Sequence, residues 1–201
     1  MLPISKTNKL HINKEIRNQD IVTAASLSHF YPTLIKQLLK TFNGVVTAIG
    51  VTNSLMLDES STTNLYLFNK SRNQWISERV LEWILREAIS GSSHTKILAL
   101  CDFDAYSNGL NFVFGQAHTG GRIGAIYLPR LRQEFYGLES DVNLFHQRVT
   151  TEAVHELGHM FRLSHCERRS CVMHFSNSLH DTDFKHFTFC NRCAVLLWST
   201  Y

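Results

Sequence analysis

The sequence predicts an α/β protein whose final segment, residues 164–201, needs a source of stability other than an apolar core. Three observations carry this. Helix-periodic and strand-like runs alternate between residues 28 and 128. A long helix-compatible stretch follows over 141–163. The tail beyond it has few periodic apolar positions before AVLLW at 194–198, which leaves it too thin to fold on burial alone. A chain of 201 residues with 44% hydrophobic content fills one domain, or one domain with two lobes.

Taken in order, SHFYPTLIKQLLKTF at 28–42 places apolar groups at helical intervals, and VVTAIGV at 45–51 is a short β-branched run bounded by Gly44 and Asn53. Residues 53–74 are rich in Asn, Ser and Thr and read as a long connection. WISERVLEWILREAI at 75–89 is strongly amphipathic and ends at Gly91, after which KILALC at 96–101 reads as a buried strand. LNFVFGQA at 110–117 and RIGAIYL at 122–128 are strand-like runs joined by HTGG, so a hairpin is expected, with Gly120 and Gly121 supplying positive φ.

Lys plus Arg number 20 and Asp plus Glu 17, a balance of +3 spread along the chain, so bulk charge argues against a nucleic-acid partner. The N-terminal MLPISKTNKLHINKE lacks the apolar core of a signal peptide, and no apolar run is long enough to span a bilayer. The expected location is the cytoplasm, away from membranes. There, clustered thiols are more often metal ligands than disulfides, and four of the five cysteines lie after residue 165.

Within VHELGHMFRLSHC, at 154–166, His155 and His159 are four apart. On a helix that separation is about 40° in azimuth and one turn in height, so two imidazoles can face one metal ion. Glu156 points to the side, where a carboxylate can reach an attacking water without ligating, the position of a general base. On a continued helix His165 would lie ~15 Å along the axis from His155 and roughly 80° round. The helix must therefore break near Arg162 or Leu163 for all three histidines to meet. Three protein ligands with an open fourth position describe a catalytic zinc, and peptide-bond hydrolysis suits these roles.

Cys166, Cys171, Cys190 and Cys193 form two close pairs, the pattern of a closed structural zinc site that would stabilise the thin tail. Two disulfides, or a mixed site using His174, His180 or His186, remain open on spacing alone. If the chain is extended after the helix, His165 and Cys166 point to opposite sides, one toward each metal. Cys101, at the end of an apolar strand, reads as an inert buried thiol.

HELGHMFRLSHC, CVM at 171–173 and CNRC at 190–193 together resemble the archaemetzincins, a family of metzincin-type zinc peptidases. Met173 falls where that family places its Met-turn methionine. The block 110–137 resembles the family's segment before the zinc helix, which implies an edge strand pairing with substrate through Phe114, Gly115, Gln116 and Ala117.

The resemblance implies one catalytic domain over 1–201. It would be α/β and metzincin-like, with a twisted mixed β-sheet and helices in an N-terminal lobe (1–163) and a small zinc-stabilised C-terminal lobe (164–201). It also implies a peptide or protein substrate; filling both clusters would give two Zn2+ per chain, and a monomer is the simplest expected state.

The interval from Met173 to Cys190 is about one residue short of the family spacing, which a loop can absorb. The larger departure is Arg162, which stands where glycine is expected at the helix end. It motivates a second reading, a zinc-stabilised peptide-binding protein with weak or no turnover, as does the absence of a tyrosine soon after Met173. A nucleic-acid-binding zinc module, suggested by Arg168, Arg169 and Arg192, ranks last, because no aromatic stacking pattern accompanies them.

Overall fold

Residues 97–101 alternate between two faces, and the layering follows from where each face is buried. Leu98 and Leu100 lie in one apolar cluster, and Ile97, Ala99 and Cys101 in another. That is the period of two expected of a strand covered on both sides. The computed structural model describes residues 8–14, 21–43, 45–52, 66–88 and 95–200.

In chain order the strands are β1 (Asn8–Lys14), β2 (Val46–Thr52), β3 (Phe68–Asn69), β4 (Gln74–Ile76), β5 (Thr95–Cys101), β6 (Ala105–Tyr106), β7 (Gly115–Ala117) and β8 (Ile123–Tyr127). The helices are α1 (Ile21–Thr41), α2 (Ser77–Ala88), α3 (Val142–Met160), α4 (Leu179–Phe184) and α5 (Asn191–Thr200). No described helix is long and apolar enough to cross a membrane.

The main sheet has the order β2-β1-β5-β8-β7, parallel throughout except for β7, which runs antiparallel to β8 at the edge. A small second sheet joins β3, β4 and β6. One face of the main sheet packs under α1 and α3, where Leu34, Leu38, Val149, Ala153 and Leu157 are fully buried. The other face meets Val80, Leu81 and Ile84 of α2 and the aromatic group Trp75, Phe103 and Tyr127. α1 is tied to α3 by Phe30, whose ring stacks on His146 at 4.1 Å.

The expected helix at 28–42 is the latter part of α1, which ends at Thr41, and the runs at 45–51 and 96–101 correspond to β2 and β5. The connection expected over 53–74 is structured at its end: β3 and β4 form a hairpin turning at Asn73, φ 52. Its first part, 53–65, lies outside the described residues. The second helix starts at Ser77, because Gln74–Ile76 pairs in the small sheet.

The hairpin between β7 and β8 is present, with Gly120 at φ 68, while Gly121 does not adopt positive φ. Only Gly115–Ala117 of the strand expected over 110–117 pairs in the sheet. Val113 instead donates to the Ala105 carbonyl, and Phe112 packs under Arg130. Apart from the Phe114 carbonyl, which accepts from Tyr127 of β8, the apolar residues of that run serve a loop wall rather than a ladder.

Candidate metal centre

α3 begins at Asp141, whose side chain accepts from the Leu144 N–H, and it stops three residues short of the expected 163. The stop is a Schellman motif. Arg162 N–H donates to the His159 carbonyl and Leu163 N–H to the Gly158 carbonyl, both at 2.9 Å, with Arg162 in the left-handed region at φ 70. The predicted break therefore falls at Arg162, with a side chain where the motif favours glycine.

The break brings His165 back to His155 and His159. Nε2 of His159 lies 3.1 Å from Nε2 of His155 and 3.2 Å from Nε2 of His165. Nitrogens held 2.0–2.1 Å from a tetrahedral zinc would stand about 3.3 Å apart, so the spacing fits one ion. His155 Nδ1 sits 2.7 Å from the Val172 carbonyl and His159 Nδ1 2.8 Å from the Leu163 carbonyl. A carbonyl only accepts, so both Nδ1 atoms carry the proton and both Nε2 atoms present lone pairs.

Two facing lone pairs cannot bond each other; a cation between them resolves the contact. Burial, and then the charge of Lys185, hold His155 well below the usual imidazole range. Burial, and then His159, bring His165 down to about 4. The imidazoles are thus neutral at neutral pH and free to accept a metal ion.

Glu156 is buried beside them, and among the described residues its Oε2 has no hydrogen-bond partner. Burial, then the nearby Glu152 carboxylate, push its carboxyl well above the usual range, against the opposing effect of Lys185. The side chain lies along the sheet edge, where a Cβ on Gly115 would collide with its Cγ and Oε1. Glycine at 115 lets the carboxylate pass under β7.

Phe114, Gly115, Gln116 and Ala117 line a cleft of about 410 Å³ together with the three histidines and Glu156. Their backbones are not equivalent. Phe114 accepts from Tyr127 and His118 donates to Ile123, so the alternation of an antiparallel ladder assigns Gln116 to Ala125. Gly115 and Ala117 are left with N–H and C=O groups directed outward, toward the cleft. Gln116 instead points its side chain away, to Ser107 and Glu78.

Beneath the site, Met173 is fully buried against Gly158, where any Cβ would strike its sulfur. The backbone around Met173 is stitched to the ligands. Val172 accepts from His155, and the Met173 carbonyl accepts from the Cys166 N–H at 2.9 Å.

Cys166 faces the second cluster. Its Sγ is 3.8 Å from that of Cys190, and all four sulfurs of Cys166, Cys171, Cys190 and Cys193 lie within 4.8 Å of one another. Bridged sulfurs stand about 2.05 Å apart, whereas thiolates 2.3 Å from a tetrahedral zinc stand about 3.8 Å apart. The cysteines are free and suited to one ion, and the cluster contains no histidine. His174 instead sets Nδ1 2.8 Å from the Cys166 carbonyl. Cys101 is buried in the apolar layer under α2.

The cleft also draws on Glu152, Phe175, Ser176 and Asn177, which sequence reasoning did not single out. Glu152 had one available signal, its place one turn before Glu156. The residues after Met173 had none, because their approach depends on the path of the tail.

Three imidazoles converging from a helix and the turn after it, beside a buried carboxylate and an open sheet edge, define a metal-dependent peptidase type of site. Residues 34–198 match the sequence profile of Peptidase family M54, and the chain belongs to that family of zinc-dependent metallopeptidases. It is similar to the archaemetzincin of Saccharolobus solfataricus, 35% identical over 173 residues, covering 86% of this chain and 90% of that one. The archaemetzincin of Pyrococcus furiosus is 41% identical over 147 residues, covering 72% and 74%. Among solved structures, the archaemetzincin of Methanopyrus kandleri superposes with a TM-score of 0.77 at 30% identity, covering all of this chain and 98% of that one.

Proposed function

We propose that the chain cleaves peptide bonds in this cleft with one zinc held by His155, His159 and His165, a second held by Cys166, Cys171, Cys190 and Cys193, and Glu156 as general base. A zinc ion on three imidazoles lowers the pKa of water toward about 7 and polarises a carbonyl. Glu156 takes the proton from the attacking water and passes it to the leaving amine. Gly115 and Ala117 offer their outward N–H and C=O groups to an extended substrate, which adds to the sheet as a further strand.

The observation that carries this reading is the buried, unpartnered Oε2 of Glu156 beside three converged Nε2 atoms. An unpaired buried carboxylate oxygen is costly unless a proton or a hydrogen-bond donor is supplied there. Because the cleft takes residues from both sides of position 163, the reading treats 1–201 as one catalytic domain. Four unbridged thiols fit a reducing compartment such as the cytoplasm.

The rival reading, peptide binding without turnover, drew on Arg162. The helix end there keeps both Schellman hydrogen bonds, so that support falls away. The test is Glu156→Ala with metal analysis and a peptide-library digest. Cleavage should drop by about 10²–10⁴-fold while two zinc ions per chain are retained; undiminished cleavage removes Glu156 from the mechanism.

A further inference from the structure

Lys185 has a fully buried side chain that the proposed chemistry does not use. Its Nζ donates to Glu152 Oε1 at 3.1 Å and to the His174 carbonyl at 3.2 Å, and Thr182 Oγ1 donates to the same Glu152 oxygen at 3.1 Å. Glu152 stands on α3, one turn before Glu156, and lines the cleft. His174 is held at both ends, its carbonyl by Lys185 and its ring by the Cys166 carbonyl. The next residue, Phe175, packs edge-on against the ring of His165 at 5.0 Å.

His165 is the ligand that most needs such support. His155 and His159 stand on α3 with Nδ1 anchored on carbonyls. His165 lies past the helix end and is exposed, and among the described residues no carbonyl holds its Nδ1. Its brace is the Phe175 ring, and that ring is placed by the backbone Lys185 grips.

We propose that Glu152 and Lys185 are positioning residues for the third imidazole, tying the segment after Met173 to α3 so that Phe175 keeps His165 directed at the metal. An ion pair is a poor device for stability alone, since well-packed neutral replacements of buried pairs are often as stable. Its geometry is more demanding: Nζ reaches a carboxylate on one element and a carbonyl on another, which an apolar side chain cannot do. The inference rests on the assignment of His165 as a ligand.

The test compares zinc-loaded wild type with Glu152→Gln and with the double variant Glu152→Gln/Lys185→Met. Either single variant strands one buried charge, the carboxylate in Lys185→Met and the ammonium in Glu152→Gln; Glu152→Gln keeps an oxygen acceptor for Thr182 and Lys185 and serves as the second variant should the double variant not fold. Zinc release from the histidine site is followed by chelator competition, with the cysteine-site zinc as internal reference.

The double variant should retain the cysteine-site zinc and melt near wild type, while the histidine-site dissociation constant rises about 10–100-fold, the usual effect of losing an orienting partner. Glu152→Gln should fall between, and kcat should drop more than KM rises. Wild-type zinc affinity at the histidine site in the folded double variant, or in Glu152→Gln if the double does not fold, overturns the proposal. A wild type that binds zinc tightly but cleaves nothing would defeat the peptidase reading instead, and the zinc-release measurement would still decide this one.

Discussion

α3 and the segment beyond it deliver imidazoles to one cleft by opposite means. α3 is buried along most of its length, so its histidines are fixed by helical period and by packing against the sheet. Residues 164–200 add only Cys171, Val172, Met173, Cys193 and Leu197 to the buried apolar groups. Their two helices are short, and the path between them is held by backbone hydrogen bonds, the sulfur cluster and the Glu152–Lys185 pair. A covered helix holds ligands cheaply in sequence, with two residues four apart. A tail with little core needs several long-range contacts to hold one.

The strongest way to break this contrast is to remove the metal proposed for the tail. Structural zinc contributes about 10–16 kcal/mol of apparent binding free energy in small zinc-finger peptides, more than the roughly 4.5–9 kcal/mol from burying Val172, Met173 and Leu197. Cys171→Ser, at a buried position of the sulfur cluster, should therefore release the proposed zinc and open residues 164–200 to rapid hydrogen exchange while α3 and the main sheet stay protected. Cleavage should vanish because His165 and Met173 leave with the tail. If the tail remains protected without zinc, its stability has another source, and the comparison between the two regions fails.

A smaller effect lies where the regions touch, at Gly158 over Met173. An ordinary exposed helical glycine replaced by alanine stabilises by roughly 1 kcal/mol. Here the added Cβ meets the methionine sulfur, and overpacking costs about 1–3 kcal/mol. Gly158→Ala should accordingly lower Tm, by about 2–8 °C for a net loss near 1 to 2 kcal/mol in a chain of this size. A rise in Tm would mean that Met173 moves freely and does not support the helix.

The same contrast explains what was legible in the sequence. His155, Glu156 and His159 could be read because helical period alone brings them together, and the cysteines because paired spacing suits a tetrahedral ion. The unbroken apolar run from Ile97 to Cys101 likewise identified a buried strand. Leu110 to Phe114 misled because an apolar β-prone run carries no record of whether its neighbour is a strand or a cleft. Lys185 was silent: its partner Glu152 is 33 residues away, and the approach depends on the turn at Arg162 and the tail's course. Arg162 itself was readable as a departure, but its conformation was not.

Arg162→Gly is the gentlest of these tests, and its sign is informative. A left-handed residue with a Cβ carries about 1–2 kcal/mol of strain, and glycine returns about 0.4–1 kcal/mol of that by loosening the unfolded chain. The Arg162 stem also lies against Gly120, whose N–H donates to the His159 carbonyl, so a small packing contact is lost. Electrostatics adds in the other direction. Lys96 donates to the Met160 and Gly121 carbonyls, and burial, then Arg162 and Arg122, bring its ammonium from 10.5 down to about 8. A folded-state value below the unfolded one makes the ammonium destabilising at pH below 8, and the penalty lifts as pH climbs from about 8 to 10.5. Removing Arg162 relieves part of it. Arg162→Gly should therefore raise Tm by about 1–4 °C at pH 7, by less at pH 10, and leave zinc content unchanged. A lowered Tm at pH 7 would show that the guanidinium contributes more to the helix end than its backbone strain takes away, and that α3 depends on a side chain outside its own core.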